Sequence, residues 1–234
     1  MSTGTVIAND GALDAHLRSG PQMRQYQELA RDLAERGAGR VLDWGCGYGQ
    51  MTALLRDAGL DVVAFDYRAE LEQPGVVRLD RYPEIEAHVS PDPVALPFED
   101  GSFDTVLSCG VLEHVAEPEA SLDEIRRVLK PRGTFYVTNL PNRYSYTEKI
   151  ARLLGHYYHG KLPDDRVYTK RSAFALLARH GFDVEEFRRV HMLPLTLGGP
   201  PGLVWKSSSV LERVPGLNVV ATSLELVARA RTQP

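Results

Sequence analysis

The chain has 234 residues, 43% of them apolar, enough to bury a sizeable core and to exclude a small cross-linked module. Its 27 basic and 31 acidic side chains leave a formal net charge of −4, which excludes a general electrostatic grip on nucleic acid. Its two cysteines, Cys46 and Cys109, exclude a disulfide framework, and no metal-ligand spacing surrounds them, so no metal site is expected.

In chain order, Met1–Gly20 is polar and reads as a flexible N-terminal arm without the apolar run of a signal peptide. From Pro21 a helical period appears, with Tyr26, Leu29, Ala30, Leu33 and Ala34 on one face. Gly37-Ala38-Gly39 stops that helix. Arg40–Trp44 is a buried-strand pattern running into Gly45-Cys46-Gly47-Tyr48-Gly49. A second helix carries Met51, Leu54, Leu55 and Ala58 and stops at Gly59. Asp61–Phe65 is a strand ending at Asp66. Tyr67–His88 is broken by Pro74, Gly75 and Pro83, and only a weak strand is placed near Ile85–His88.

Phe103–Ser108 is the next strand. Pro118–Leu129 is a helix closed by Lys130-Pro131-Arg132-Gly133, and Thr134–Thr138 is a strand. Tyr144–Tyr168 is irregular and rich in Tyr and His. Thr169 caps a helix through Ala178, Phe182–Val190 is a strand, Gly202–Arg213 reads as helical, and Asn218–Ala228 contains a final strand. This alternation predicts an α/β fold with a mostly parallel sheet and helices on both faces, in one domain over residues 1–234. No apolar run approaches the roughly 20 residues that span a bilayer. A cytoplasmic protein is therefore expected, as monomer or homodimer, with no nucleic-acid partner.

In doubly wound sheets the first strand-to-helix turn, at the carboxyl ends of the strands, is the usual ligand site. Here it carries glycines at alternate positions. A dinucleotide fingerprint needs G-x-G-x-x-G, but Gln50 stands where the third glycine belongs. Asp43, two residues before the first glycine, repels pyrophosphate and suits a cationic ligand. Asp66 lies 21 positions after Gly45, at the end of the second strand, where a carboxylate can accept from ribose hydroxyls. A purely structural turn, and a strand-end or capping Asp, remain open readings of these residues.

Taken together, these residues resemble a family. Val41-Leu42-Asp43-Trp44-Gly45-Cys46-Gly47-Tyr48-Gly49 resembles the first motif of class I S-adenosylmethionine-dependent methyltransferases. Ala95-Leu96-Pro97-Phe98-Glu99-Asp100-Gly101-Ser102-Phe103-Asp104 is similar to the entry of the fourth strand in the type 11 branch. Val111-Leu112-Glu113-His114-Val115 is similar to the loop after that strand, and Glu124–Gly133 to the helix and turn before the fifth. The motifs run in family order over roughly Tyr26–Val190.

The resemblance implies a Rossmann-like, doubly wound, seven-stranded sheet with a reversed last strand. It also implies that Asp43 and the backbone of Gly45, Cys46, Gly47 and Gly49 hold the methionine end of S-adenosylmethionine. Asp66 would take the ribose, Tyr67 would lie against adenine, Asp92 would accept from the adenine amino group, and Cys109 would contribute backbone contacts. Pro93 departs from the pattern, since it lacks the N–H that the family gives to the adenine ring at this place. The segment Tyr67–His88 departs as well.

A sulfonium methyl is already activated, so transfer needs a positioned lone pair and excluded water more than a fixed set of catalytic groups. His114 borders the methyl donor and is the candidate catalytic residue, although Glu113-His114 reads more readily as a pair that caps the next helix or orients the loop. Tyr144, Tyr146, His156, Tyr157, Tyr158 and His159 form a candidate substrate cover over residues 144–168, with an ordinary helix pair bearing surface aromatics as an equal reading. They suit an uncharged or aromatic small-molecule acceptor, with oxygen preferred over nitrogen or carbon. The alternatives are a non-catalytic cofactor-binding or scaffold member of the same fold, and a nucleotide-dependent oxidoreductase.

Overall fold

The computed structural model describes residues 20–153, 155, 165–193, 201–214 and 216–232. Its elements alternate as expected. Helix α1 spans Gly20–Glu35, strand β1 Arg40–Trp44, helix α2 Gln50–Asp57 and strand β2 Asp61–Tyr67. Two short strands follow, β3 Gly75–Arg78 and β4 Glu86–Ser90, and then β5 Phe103–Cys109. Helix α3 is Pro118–Val128, β6 Leu129–Pro141, α4 Tyr146–Leu153, α5 Lys170–Arg179, β7 Phe182–Val190, α6 Pro201–Glu212 and β8 Ser223–Ala230. Most of Met1–Gly20 lies outside the described residues; only Gly20 is described, and it opens α1.

The strands form one eight-stranded sheet in the order β3-β4-β2-β1-β5-β6-β8-β7. The central strands β4, β2, β1, β5 and β6 are parallel. Strand β8 runs antiparallel to both β6 and β7, which is the expected reversed last strand. The sheet has one strand more than the expected seven. The extra one is β3, an edge strand paired antiparallel to β4 through Val76↔His88 and Val77↔Ala87. Gly75 opens it directly after Pro74, so the residues that read as breakers mark its start rather than its absence. Strand β6 begins five residues earlier than expected because α3 stops at Val128 and Leu129 already pairs with Phe103. The final strand begins at Ser223, since Leu217–Val220 forms a 3₁₀ turn before it.

Alternation along the strands sorts the core onto two faces. Leu42, Phe103, Val106, Phe135 and Leu226 pack beneath α3 and α5 through Leu122, Ile125, Leu176 and Leu177. Val41, Val62, Leu107, Tyr136 and Val227 face α1 and α2 through Ala30, Leu33, Met51 and Leu55. Strand order reverses between β1 and β5, because the chain leaves β1 toward β2 and returns on the other side. A crevice at that point is where such sheets take ligands. Among the described residues no helix is long and apolar enough to cross a membrane.

Candidate functional site

The carboxyl ends of β1, β2 and β5 stand level, with Trp44 opposite both Phe65 and Ser108. Asp43 precedes that rim and is 1% exposed. It stays polar there because Thr52, on the first turn of α2, donates its hydroxyl to Asp43 Oδ2 at 2.5 Å. Burial raises the Asp43 carboxyl to about 6, the Thr52 hydrogen bond pulls against that rise, and the nearby Asp66 adds to it. A cation placed at this rim would reverse the shift.

Between the two residues the glycine turn is tightly fixed. Gly45 and Cys46 both donate their backbone N–H to Phe65 O at 2.8 Å, and Gly49 donates to Cys46 O at 2.8 Å. Gly49 has φ +84 and caps α2; a Cβ there would come within 2.4 Å of Leu79 Cδ1. Gly47 differs, because with φ +51 a Cβ on it would meet nothing within 4 Å. At Gly49 the missing side chain is demanded by the protein itself. At Gly47 the backbone borders open space.

Asp66 sits at the end of β2 with its side chain 22% exposed, beside the Arg68 guanidinium at 3.4 Å. Burial raises its carboxyl, against the pull of Arg68. Tyr67 follows at 47% exposure, so its ring is available to stack. Asp92 lies in the next loop, where its Oδ1 accepts the backbone N–H of Val94 and of Ala95, each at 2.8 Å. These two bonds hold the carboxyl below the usual carboxylate range. They also use the backbone donors that follow Pro93, so the loop closes on Asp92 itself.

Cys109 ends β5. Asn139, at the end of β6, donates Nδ2–H to Cys109 Sγ at 3.6 Å and accepts from Gln25 Nε2 at 2.8 Å. Burial raises the phenol of Tyr26, and the neighbouring Cys109 thiol adds to the rise. Burial also pushes up the thiols of Cys46 and Cys109, which suits backbone roles for both rather than thiolate chemistry. The N-terminal half of α1 is thereby laid across the ends of β5 and β6. Asn139 has φ +61, a left-handed conformation that Asn tolerates, at a register shift of β6 between Val137 and Leu140.

The loop after β5 carries His114. Its Nδ1 lies 2.8 Å from Asp165 Oδ1, and its Nε2 lies 3.9 Å from Glu113 Oε1. Arg166 fastens the same loop, donating its backbone N–H to Glu113 O and its guanidinium to Val115 O and Ala116 O. Tyr168 donates its hydroxyl to Leu112 O at 3.4 Å.

Of the expected substrate cover, Tyr144 is 48% exposed beside α4. Tyr146 donates its hydroxyl to Met192 O at 2.7 Å and so anchors α4 to the segment after β7. His156, Tyr157, Tyr158 and His159 lie outside the described residues. Two cavities of about 450 and 470 Å³ open elsewhere, and neither is lined by these residues. The glycine turn is the candidate site instead, because the carboxyls of Asp43 and Asp66 and the open backbone of Gly47 lie together at the switch point of the sheet.

Sequence reasoning missed Thr52, Gln25, Asn139, Asp165 and the burial of Glu113. One signal was readable. Gln22 and Gln25 continue the apolar stripe of α1 with amide side chains, and buried polar residues on such a stripe need partners. Asp165 carries no such mark, since it is 51 residues from His114 in an irregular stretch.

Comparison with known proteins gives four findings. A type 11 family model described as a methyltransferase domain matches residues 42–137. The chain is 38% identical over 140 residues to a demethylmenaquinone methyltransferase of Renibacterium salmoninarum, covering 57% of each. It is 35% identical over 152 residues to a ubiquinone biosynthesis O-methyltransferase of Xanthomonas oryzae, covering 59% of this chain and 60% of that one. The matched stretch thus spans less than two thirds of these relatives. Among solved structures, the Burkholderia thailandensis 1,6-didemethyltoxoflavin-N1-methyltransferase with bound 1,6-didemethyltoxoflavin and S-adenosylhomocysteine superposes with a TM-score of 0.58. It is 19% identical, with 94% of this chain and 83% of that one covered, which is a likeness of fold.

Proposed function

Since residues 42–137 belong to the type 11 methyltransferase domain family, we propose that this chain transfers the methyl group of S-adenosylmethionine to a hydroxyl of a small ring-bearing acceptor. The observation that carries the reading is the pairing of a buried carboxylate, Asp43, with the open backbone of Gly47 at the switch point of the sheet. A cationic ligand fits beside Asp43, and close approach to the backbone fits Gly47.

Asp43 and the turn hold the amino-acid end, Asp66 accepts from the ribose hydroxyls in competition with Arg68, and Tyr67 covers the adenine. Asp92 reaches the adenine amino group with the oxygen that its own loop does not use. The bound cofactor supplies an activated methyl group. The protein's part is to align the acceptor oxygen, exclude water, and accept a proton at the loop after β5.

The names of the relatives support a quinone-type ring as the acceptor class, and that of the ubiquinone biosynthesis O-methyltransferase supports an oxygen acceptor on its reduced, diol form. Exposed Tyr144, Ile150 and Leu153 on and beside α4, which leaves the carboxyl end of β6, support an apolar ring. Incubation with methyl-tritiated S-adenosylmethionine and a panel of aromatic diols tests the reading. Label in an O-methyl product supports it. Binding of the demethylated cofactor with no turnover on any diol, amine or carbon acid favours the non-catalytic alternative instead.

A further inference from the structure

We propose that Glu113, rather than His114, receives the acceptor's proton, and that His114 with Asp165 passes it to solvent; this rests on the reading of methyl transfer to a hydroxyl. The loop after β5 turns at Gly110, whose N–H donates to Thr138 O at 3.0 Å. A Cβ on Gly110 would stand 3.7 Å from Glu113 Oε1 and 3.9 Å from Asn139 Cβ. The Glu113 side chain therefore folds back over the ends of β5 and β6, where Cys109 and Asn139 lie. His114 turns toward Asp165 and is 41% exposed.

Glu113 is 3% exposed, and its Oε2 has no hydrogen-bond partner among the described residues. A buried carboxyl oxygen without a donor costs roughly 1–3 kcal/mol, so it calls for a reason. A hydroxyl entering the site supplies the missing donor. The groups around Glu113 are His114, Asp165, the Cys109 thiol and the Tyr168 hydroxyl, while the Arg166 guanidinium is turned to Val115 O and Ala116 O. No guanidinium or ammonium pairs with the carboxyl among the described residues. Burial, reinforced by Asp165 and opposed first by its own backbone N–H and then by His114, lifts it to about 7. A base poised near the working pH is the efficient kind.

In the step, the acceptor O–H bond breaks and its proton goes to Glu113 Oε2. The oxygen lone pair forms the new bond to the methyl carbon, and the electrons of the methyl–sulfur bond remain on sulfur, which becomes a neutral thioether. With Nδ1–H donating to Asp165, Nε2 of His114 is the nitrogen that accepts. It lies 3.9 Å from Glu113 Oε1, within reach of one water, on a side chain that is 41% exposed. Asp165 fixes the tautomer and stabilises the transient imidazolium.

The test uses the full chain, E113Q, H114N and D165N, with three readouts. Calorimetry with S-adenosylhomocysteine comes first: absence of binding to wild type removes the methyltransferase reading itself, whereas equal affinity for wild type and E113Q isolates the proton step. Infrared titration of the wild type should show, beside the Asp43 component that disappears near pH 6, a protonated carboxyl component that disappears near pH 7 and is missing from E113Q. Ionisation of that second component already at pH 5 overturns the proposal, whether or not E113Q folds. With 1,4-dihydroxynaphthalene as the acceptor probe, E113Q should lose about 10² to 10⁴ in kcat together with the pH dependence near 7. H114N and D165N should lose about tenfold and keep that pH dependence. Retention of kcat within threefold in E113Q, or failure of the probe to react while the infrared band is ionised at pH 5, overturns it.

Discussion

Thr52 and Asp43 meet across the glycine turn, hydroxyl to carboxylate, at 2.5 Å, and neither is exposed by more than 1%. One contact thereby fixes the end of β1, the start of α2 and the crevice between them. Thr52→Val keeps the volume and leaves Asp43 Oδ2 without its donor. Chemical denaturation should show a loss of about 1–3 kcal/mol, and S-adenosylhomocysteine binding should weaken in parallel.

Asp43 also predicts a proton signature. Its carboxyl is raised to about 6, above the ordinary 3.8. The folded chain therefore holds this proton more tightly than the unfolded chain. The stability it contributes is greatest below pH 4 and declines by up to about 3 kcal/mol as the pH rises toward 6. A cationic ligand favours the ionised form, so binding S-adenosylmethionine at pH 5.5 should release a proton. Calorimetry in buffers of different ionisation heat reads that release directly. It should vanish at pH 8 and in D43N.

The two glycines at the turn should fail differently. Gly49→Ala drives its Cβ into Leu79 at 2.4 Å and should lower the melting temperature clearly. Gly47→Ala meets no protein atom within 4 Å and should cost only about 1–2 kcal/mol of left-handed backbone strain. If the open space beside Gly47 holds the cofactor, that variant folds but binds S-adenosylhomocysteine at least tenfold more weakly. Unchanged affinity in Gly47→Ala removes Gly47 from the site.

Arg127 holds the loop that enters β5. It pairs with Glu124 at 2.7 Å and Asp100 at 2.6 Å, and donates to Phe98 O and Leu96 O. Glu124 in turn accepts the Leu96 N–H at 2.8 Å. Arg127→Ala should destabilise the chain by about 1–3 kcal/mol in urea titration. Arg127→Lys should recover only part of that, because a single ammonium cannot serve carbonyls and carboxylates on two sides.

Much of this arrangement is legible in the residues. Asp43, the alternate glycines and Asp66 stand at the ends of strands that apolar runs mark plainly, and α/β alternation then places them together. Strand β3 escaped because four residues beside Pro74 carry too little pattern, and only pairing with β4 makes them a strand. Tyr146 read as a substrate contact, yet its hydroxyl is bound to Met192 O, a carbonyl 46 residues away. Asp92 read as an adenine acceptor, and its Oδ1 proves to be engaged with its own loop. Asp165 and Asn139 matter through contacts between distant segments, and local spacing holds no trace of such contacts.

The most direct test is isothermal calorimetry of the full chain with S-adenosylhomocysteine, beside Asp66→Ala. The account predicts one site per chain in the micromolar range, weakened at least tenfold by Asp66→Ala with the fold retained. No heat of binding at millimolar ligand, or equal affinity in wild type and Asp66→Ala, contradicts it.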